Sequence, residues 1–443
     1  MSDQAKPRKA AAAFILVTVF LDMLSIGIII PVLAPLIKSF LGGSVSDAAM
    51  WTGVFGAAWG LAQFIFSPIQ GGLSDSIGRR PVVLASNFGT GCDFLLMALA
   101  PNLWWLLAGR IISGITSASI STAYAYMSDV TAPEGRAKIF GLMGAAFGFG
   151  FIVGPGLGGI LGGGLHWTWL TQIGLDFLNF NGNPHLPFYV AAALSLLNFT
   201  YGFFVLPESL PLDKRKPFSF RASNPVGAIR FLARSAQVFR LSIMNLLMMF
   251  AHSVFPTAFV LFAGYRFGWG PKEVGFCLGG VGVLSILVQA ILTGPIVKVL
   301  GERRTMFLGL TCGFIAFTGY ALAPSWEVFV AFMPIGAMWG LTTPNIQALM
   351  SAKVDPHEQG TLQGANMSLQ SMSTIFAPIA FGGVLAYVTH PGMPKMYGGA
   401  PFLLAALFVL FGLLLGFGVK QSMKVEVAFA AGPAADPAAD PVD

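Results

Sequence analysis

The chain has 443 residues, 25 of them Lys or Arg and 19 Asp or Glu, so 10% are charged where a soluble domain has about 25%. With 55% hydrophobic residues and 40 Phe, most of its surface needs an apolar solvent, which excludes a soluble globular protein, a disordered chain and a disulfide-stapled secreted domain. The three cysteines, Cys92, Cys277 and Cys312, lie in apolar runs without metal-ligand spacing and are expected to be small core residues.

In chain order, apolar runs fall at 10–37, 48–74, 81–100, 103–128, 139–175, 177–207, 241–265, 274–297, 305–326, 328–352, 359–394 and 396–419. Each is long enough for a transmembrane helix, which needs about 20 residues. Twelve spans are therefore predicted, and only Asp22, Asp93 and Arg110 place a charge inside them. The first run is too long for a signal-peptide core and has no small-residue cleavage site, so it is expected to be retained.

Alternating the loops between the two sides puts 20 Lys/Arg on one side and four, Lys38, Arg266, Lys272 and Lys395, on the other. The positive-inside rule makes the first side, with both termini, cytoplasmic. The formal charge of +6 reflects that bias and implies no nucleic-acid partner. The predicted division is a six-helix bundle over 1–206, a basic cytoplasmic linker over 207–237, a second bundle over 238–420 and a disordered Ala/Pro/Asp-rich tail over 421–443.

The sequence repeats itself at an offset of 223 residues: Gly71 with Gly294, Gly78 with Gly301, Arg80 with Arg303, the two ALAP tetrapeptides at 98–101 and 321–324, Pro155 with Pro378 and Gly159 with Gly382. The offset spans an even number of helices, so the repeat is parallel, as in transporters whose site lies between two halves.

The turn between the second and third helices reads GGLSDSIGRRP, Gly71 to Pro81. Gly71, Gly78 and Pro81 allow a tight turn, Asp75 sets an acceptor among cations, and Arg79 and Arg80 hold the loop in the cytosol. It resembles the conserved loop of the major facilitator superfamily, which implies a cytoplasmic gate that locks the halves in the outward-open state. Arg136, at the next loop on that side, is taken as part of the gate. In the fifth helix Gly150, Gly154, Gly158 and Gly162 form one stripe that lets a neighbour approach backbone to backbone. With Pro155 and Gly159 it resembles the antiporter motif of drug exporters in that superfamily.

LDMLSIGIIIPVLAP (21–35), GCDFLLMALA (91–100), GRIISGITSAS (109–119), YRFGW (265–269) and EQGTLQG (358–364) look like the tetracycline/proton antiporters. The resemblance implies an all-α polytopic membrane protein of the major facilitator fold, with 12 transmembrane helices as two six-helix pseudo-symmetric bundles.

Asp22 and Asp93 each lie 12 residues beyond the cytoplasmic start of a rising run, about 18 Å up at 1.5 Å per residue. Arg110, descending, comes to about the same height, so the three charges share one layer. An unpaired charge there costs at least about 2.5 kcal/mol, which favours Arg110 partnering one or both acids. The resemblance implies proton coupling through Asp22, Asp93 and Arg110. Substrate binding is expected at Asp22, Asp93, Ser117, Ser121, His252, Gln289, Gln363, Asn366 and Gln370. Gly114, Tyr124, Asn245, Asn345, Gln347 and Ser373 are further polar or small positions along the same helices. Where those antiporters carry a membrane histidine in helix eight and an acid in helix nine, this chain has Ser285 and Gly313, so the second half has no membrane carboxylate.

The expectation is a proton-driven exporter of amphipathic small molecules, tetracycline-efflux-like, in a bacterial inner membrane. Its partners are substrate, protons and the lipid bilayer, with no cofactor and no metal, and a monomer is expected. An uptake symporter of the same fold and a non-transporting receptor or scaffold are the alternatives. No phosphate-loop motif offers ATP as a driver, and no nucleophile and base converge for an intramembrane enzyme.

Overall fold

The structure, a computed structural model, describes residues 5–116, 119–131, 136–165, 180–215, 217, 231–355 and 358–420. Within lipid every backbone polar group must be satisfied internally, and the apolar runs do this as helices. They are α1 (Ala5–Phe40), α2 (Val45–Ile77), α3 (Arg79–Ala98), α4 (Leu103–Thr116 and Ser119–Val130), α5 (Arg136–Gly163) and α6 (Leu186–Val205) in the first half. The second half holds α7 (Ala236–Phe267), α8 (271–300), α9 (302–322), α10 (326–351), α11 (Gln359–Val388) and α12 (Ala400–Gly416).

Nine stretches among the described residues are long and apolar enough to cross a membrane. One of them, Pro271–Leu322, is the double span α8–α9, broken at Gly301. The remaining two spans are in pieces: α4 is Leu103–Thr116 and Ser119–Val130, with 117–118 outside the described residues, and α10 runs as Trp326–Ala331, Met333–Met338, a 3-10 turn Trp339–Leu341 and Thr342–Ser351. The only strand pairing among the described residues joins Gly164–Leu165 to Phe180–Asn181 in the α5–α6 connection. Residues 218–230 of the linker and the tail 421–443 lie outside the described residues.

Start signals are local. Ser44 accepts from Asp47 N at 3.2 Å to cap α2, and Gly270 N donates to Glu273 Oε2 at 2.8 Å at the head of α8. The second half is filled by an aromatic cluster in which Tyr320 and Phe329 have ring centroids 4.5 Å apart and Phe262 meets Phe402 edge-on at 5.1 Å. Of the cysteines only Cys277 is core; Cys92 is exposed and Cys312 intermediate, because an apolar helix in lipid presents apolar residues outward as well as inward.

The halves meet along two seams, α2 with α11 and α5 with α8. The 223-residue repeat carries α2 onto α8 and α5 onto α11, so these are one contact made twice. A Cβ on Gly53 would lie 2.6 Å from Pro378 O, and one on Gly382 2.6 Å from Ala49 O. In the mate seam a Cβ on Gly159 would lie 2.6 Å from Pro271 O and one on Gly275 would collide with Pro155 O. Both seams tighten toward the ends of α2 and α8 that follow the turns at 41–44 and 268–270, where Ser46 Oγ also donates to Ala386 O at 2.7 Å.

At the opposite end, which carries the arginine-rich turns, the same four helices stand apart: a Cβ on Gly71, Gly141, Gly144, Gly148, Gly294 or Gly364 would meet nothing within 4 Å. Among the described residues no side-chain hydrogen bond or ion pair joins the halves there. Among the described residues, the molecule is closed at the 41–44 and 268–270 face and open at the basic face.

Gly78 (φ 113°, ψ 161°) and Gly301 (φ 75°, ψ 162°) turn the chain between α2 and α3 and between α8 and α9, at equivalent places in the repeat. That backbone region is accessible essentially to glycine alone, so Gly78→Ala and Gly301→Ala should each destabilise by about 1–3 kcal/mol. A drop in melting temperature of each purified variant, with alanine at Gly71 as the tolerated control, checks it.

Candidate functional site

Packing fixes the heights of the membrane charges. Gly202 of α6 lies against Phe14 of α1 and Leu84 of α3, Thr18 Oγ1 donates to Asn198 Oδ1 at 3.2 Å, and Gly91 lies against Leu196. Both α1 and α3 therefore run antiparallel to α6, and continuing each pairing by about a turn puts Asp22 and Asp93 level with residues near 194. Asp93 Oδ1 abuts Gly109 of α4, which brings Arg110 to the same layer.

Asp93 is 0% exposed, and its electrostatic partner is Arg110. The pair stands beyond direct ion-pair range, and the Ser113 hydroxyl of α4 is the other polar group beside the Asp93 carboxylate. On its other side the Arg110 guanidinium sits 5.5 Å from the centroid of the Trp59 ring on α2, so the cation is shared between a carboxylate and an aromatic face. Asp22, 7% exposed, belongs to a different wall of α1, the face with Thr18 and Ser25 that is turned toward α6.

In the second half His252 lies midway along the 32-residue span Ala236–Phe267, and yet it is exposed. A polar ring at that depth faces water in a cavity rather than lipid. It stacks on Trp339 at 6.0 Å and 25°, and Trp339 Nε1 donates to Met248 Sδ at 3.3 Å. The indole reaches this place because it covers Gly313, where any side chain would meet it. Directly after His252, α7 opens into a π turn at Phe255–Phe259, and α8 has another at Leu287–Leu292 that carries exposed Gln289.

On α11 the expected polar stripe divides. Gln363 and Gln370 are exposed, whereas Asn366 (6% exposed, Nδ2 3.9 Å from Met350 Sδ) and Ser373 face the bundle. Asn245 and Asn345 are buried, and Asn345 Nδ2 donates to Leu341 O at 2.7 Å. Gln347 and Tyr124 are exposed. Ser117 lies outside the described residues, as do the side chains of Ser121 and Arg136.

The basic-face turn is a closed charge network within the first half. Arg79 Nη1 meets Asp75 Oδ1 at 2.6 Å and Ser74 Oγ at 2.6 Å, while Arg79 Nε reaches Asp129 Oδ2 at 3.2 Å. Glu208, beyond α6, accepts from the backbone N–H of Arg79 and Arg80 at 2.8 and 3.2 Å and so caps α3 from outside. Arg80 Nη2 donates to Phe203 O at the end of α6 at 2.6 Å. In the second half Arg303 repeats this with Phe417 O at 3.4 Å, but Lys298 stands where Asp75 would. Arg79→Ala should cost about 1–2 kcal/mol of stability, and Lys should not restore it, because two acids take two different guanidinium nitrogens. Thermal unfolding of the three proteins decides this.

The glycine stripe of α5 packs on α1. A Cβ on Gly150 would lie 2.6 Å from Phe20 O and one on Gly154 2.7 Å from Gly27 Cα; Gly158 abuts Ile28 O and Gly162 the side chain of Val32. Gly159 and the Pro155 carbonyl turn the other way, onto α8, while the Pro155 ring lies against Gly27 of α1. Thus α5 is held backbone to backbone on both sides, by α1 within its half and by α8 across the seam.

Sequence reasoning passed over Trp59, Trp339, Asn87, Asn198, Asp129 and Glu208. The aromatics and amides carry no periodic signal that separates them from core, and Glu208 lies 129 residues from its partner Arg79.

The fold and site define a twelve-helix, two-half membrane transporter scaffold, and the comparisons agree. The profile of the Major Facilitator Superfamily matches residues 15–378, and the chain belongs to that family. It is 36% identical over 395 residues to the tetracycline resistance protein, class C, of Escherichia coli, covering 89% of this chain and 94% of that one. It is 29% identical to multidrug resistance protein 2 of Bacillus subtilis, covering 97% and 99%. Its fold matches a bacterial homolog of the human lysosomal transporter Spinster in an inward-facing, unoccupied conformation, with a TM-score of 0.74 at 16% identity over 93% and 96% of the two chains. The resemblance to the tetracycline antiporters read from the motifs is borne out.

Proposed function

We propose that the chain is a proton-coupled exporter of amphipathic small molecules that works by alternating access of its two halves. The basic face is the cytoplasmic one, both termini are cytoplasmic, and the membrane is a bacterial inner membrane. Asp93 beside Arg110, level with Asp22 along the α1–α6 and α3–α6 pairings, is the observation that carries this reading. A carboxyl group there takes a proton when Arg110 turns from it and releases one when Arg110 returns, because a nearby cation favours the charged form.

The substrate reaches the layer from the open basic face and meets the His252–Trp339 stack and Gln289 on the second half and Arg110 on the first, with Asp93 buried behind Arg110 and Asp22 buried on the α6 side of α1. Gln363 and Gln370 line the α11 side. The names of the relatives, a tetracycline and a multidrug resistance protein, support a drug-like substrate. A monomer carries both halves of the cavity. The Asp75–Arg79–Asp129 network is the gate in its unlocked arrangement, with Asp75 held inside its own half.

Efflux of a panel of cationic, zwitterionic and neutral fluorescent drugs from cells, with and without a protonophore, tests the proposal. Expression should lower the accumulation of at least one of them, and the protonophore should abolish the effect. Raised accumulation driven by the proton gradient would assign uptake instead.

A further inference from the structure

Thr18, Asp22 and Ser25 fall within an arc of about 60° on α1, on the side away from the α5 stripe. Opposite them α6 presents Ser195 and Asn198, and α3 presents Asn87, which the pairings Leu84–Gly202 and Gly91–Leu196 set level with Asn198. Phe88 and Phe199, centroids 5.2 Å apart, mark that same level.

All of these side chains are buried: Thr18 1%, Ser25 0%, Asn87 1%, Ser195 2% and Asn198 2% exposed. Ser25 Oγ, both amide atoms of Asn87, Ser195 Oγ and Asn198 Nδ2 have no hydrogen-bond partner in the protein. Five orphaned polar atoms in one apolar bundle are too costly for a marginally stable fold, and a buried water makes about three hydrogen bonds to such groups.

We infer that the interior between α1, α3 and α6 binds a short file of ordered water beside Asp22, held by Ser25, Asn87, Ser195 and Asn198. Its basic-face end is closed by Phe14 and Leu84, which meet at Gly202. The functional consequence rests on the proton-coupled reading and deepens it. Asn87 and Asn198 are positioning residues for a relay in which a hydronium ion gives its proton to the Asp22 carboxylate and becomes water, and the reverse. The two acids then divide the work, because Asp93 is turned to α4 and Arg110, away from this file.

Radiolytic hydroxyl labelling of the purified full-length protein, read by mass spectrometry, tests the water directly. Phe14, 2% exposed, should be oxidised at least about fivefold faster than Phe329 and Phe402, which are 1% and 0% exposed and lie in the aromatic cluster of the second half. Equal rates would overturn the inference, and labelling that needs added Na+ would give the site to a cation.

In vesicles loaded with the best-exported dye of the panel, Asn198→Leu should cut proton-driven transport about tenfold, leave dye-for-dye exchange within about twofold, and be rescued by Asn198→Ser. Equal loss of both modes without rescue would reduce Asn198 to a structural role and overturn the relay. The labelling needs no transport, so transport that ignores the proton gradient would sink the proposed function and leave the water file standing.

Discussion

Replacing Asp93 by Asn is expected to abolish proton-driven export while the protein still folds. The change leaves Arg110 as a part-buried cation without its counter-charge, which lowers stability, and it removes the acid that carries the proton. Proton-driven flux should fall by about 100-fold or more, on the order of 3 kcal/mol at about 1.4 kcal/mol per factor of ten. Arg110→Lys should be nearly as damaging, since an ammonium cannot lie flat over the Trp59 ring and face Asp93 at once. The double variant Asp93→Asn with Arg110→Gln removes both charges. It should recover thermal stability but not proton-driven flux, which separates a coupling role from a packing role. Full flux in the double variant would mean that the pair is only structural.

The second large effect is expected at the seam between the halves. A Cβ on Gly382 would sit 2.6 Å from Ala49 O and 2.9 Å from Gly53 Cα, backbone atoms that cannot move aside singly. Overpacking of this kind costs about 1–3 kcal/mol. Because the clash exists only when the 41–44 face is closed, Gly382→Val should shift the conformational ratio by about 5–150-fold toward the state open at that face. Spin labels at Leu99→Cys and Met396→Cys, in a background with Cys92, Cys277 and Cys312 replaced by Ser, report the distance across that face. It should lengthen in Gly382→Val, and it should lengthen likewise in Gly159→Val, the repeat equivalent in the α5–α8 seam. An effect at only one of the two seams would contradict their equivalence.

The architecture was legible because lipid makes charge scarce: runs without a Lys, Arg, Asp or Glu mark the spans, and the repeat marks the halves. The same scarcity made Asp22, Asp93 and Arg110 visible, since a charge within a span has no bland use. The pairings Pro155 with Pro378 and Gly159 with Gly382 already held the seam geometry, although the sequence does not tell that α5 meets α8 and α2 meets α11. What remained hidden depends on direction within a helix. Residues 363, 366, 370 and 373 share an arc, yet the boundary between open space and packed bundle runs through it, so Gln363 and Asn366, about 60° apart, end on different sides. The breaks of α10 and the π turns of α7 and α8 follow from packing against neighbours rather than from their own sequence. The amides Asn87 and Asn198 gain meaning only when α3 and α6 are set side by side.

The most direct measurement of the central claim is proton counting in proteoliposomes. Purified protein is reconstituted with a trapped pH dye, and the best-exported drug of the panel is added under an imposed pH gradient of either sign. Proton-coupled antiport predicts drug movement against the direction of the protons, reversal of the drug flux when the gradient is reversed, and proton flux on drug addition in the wild type but not in Asp93→Asn. Drug flux indifferent to the sign of the gradient, or proton flux that survives Asp93→Asn unchanged, would contradict it.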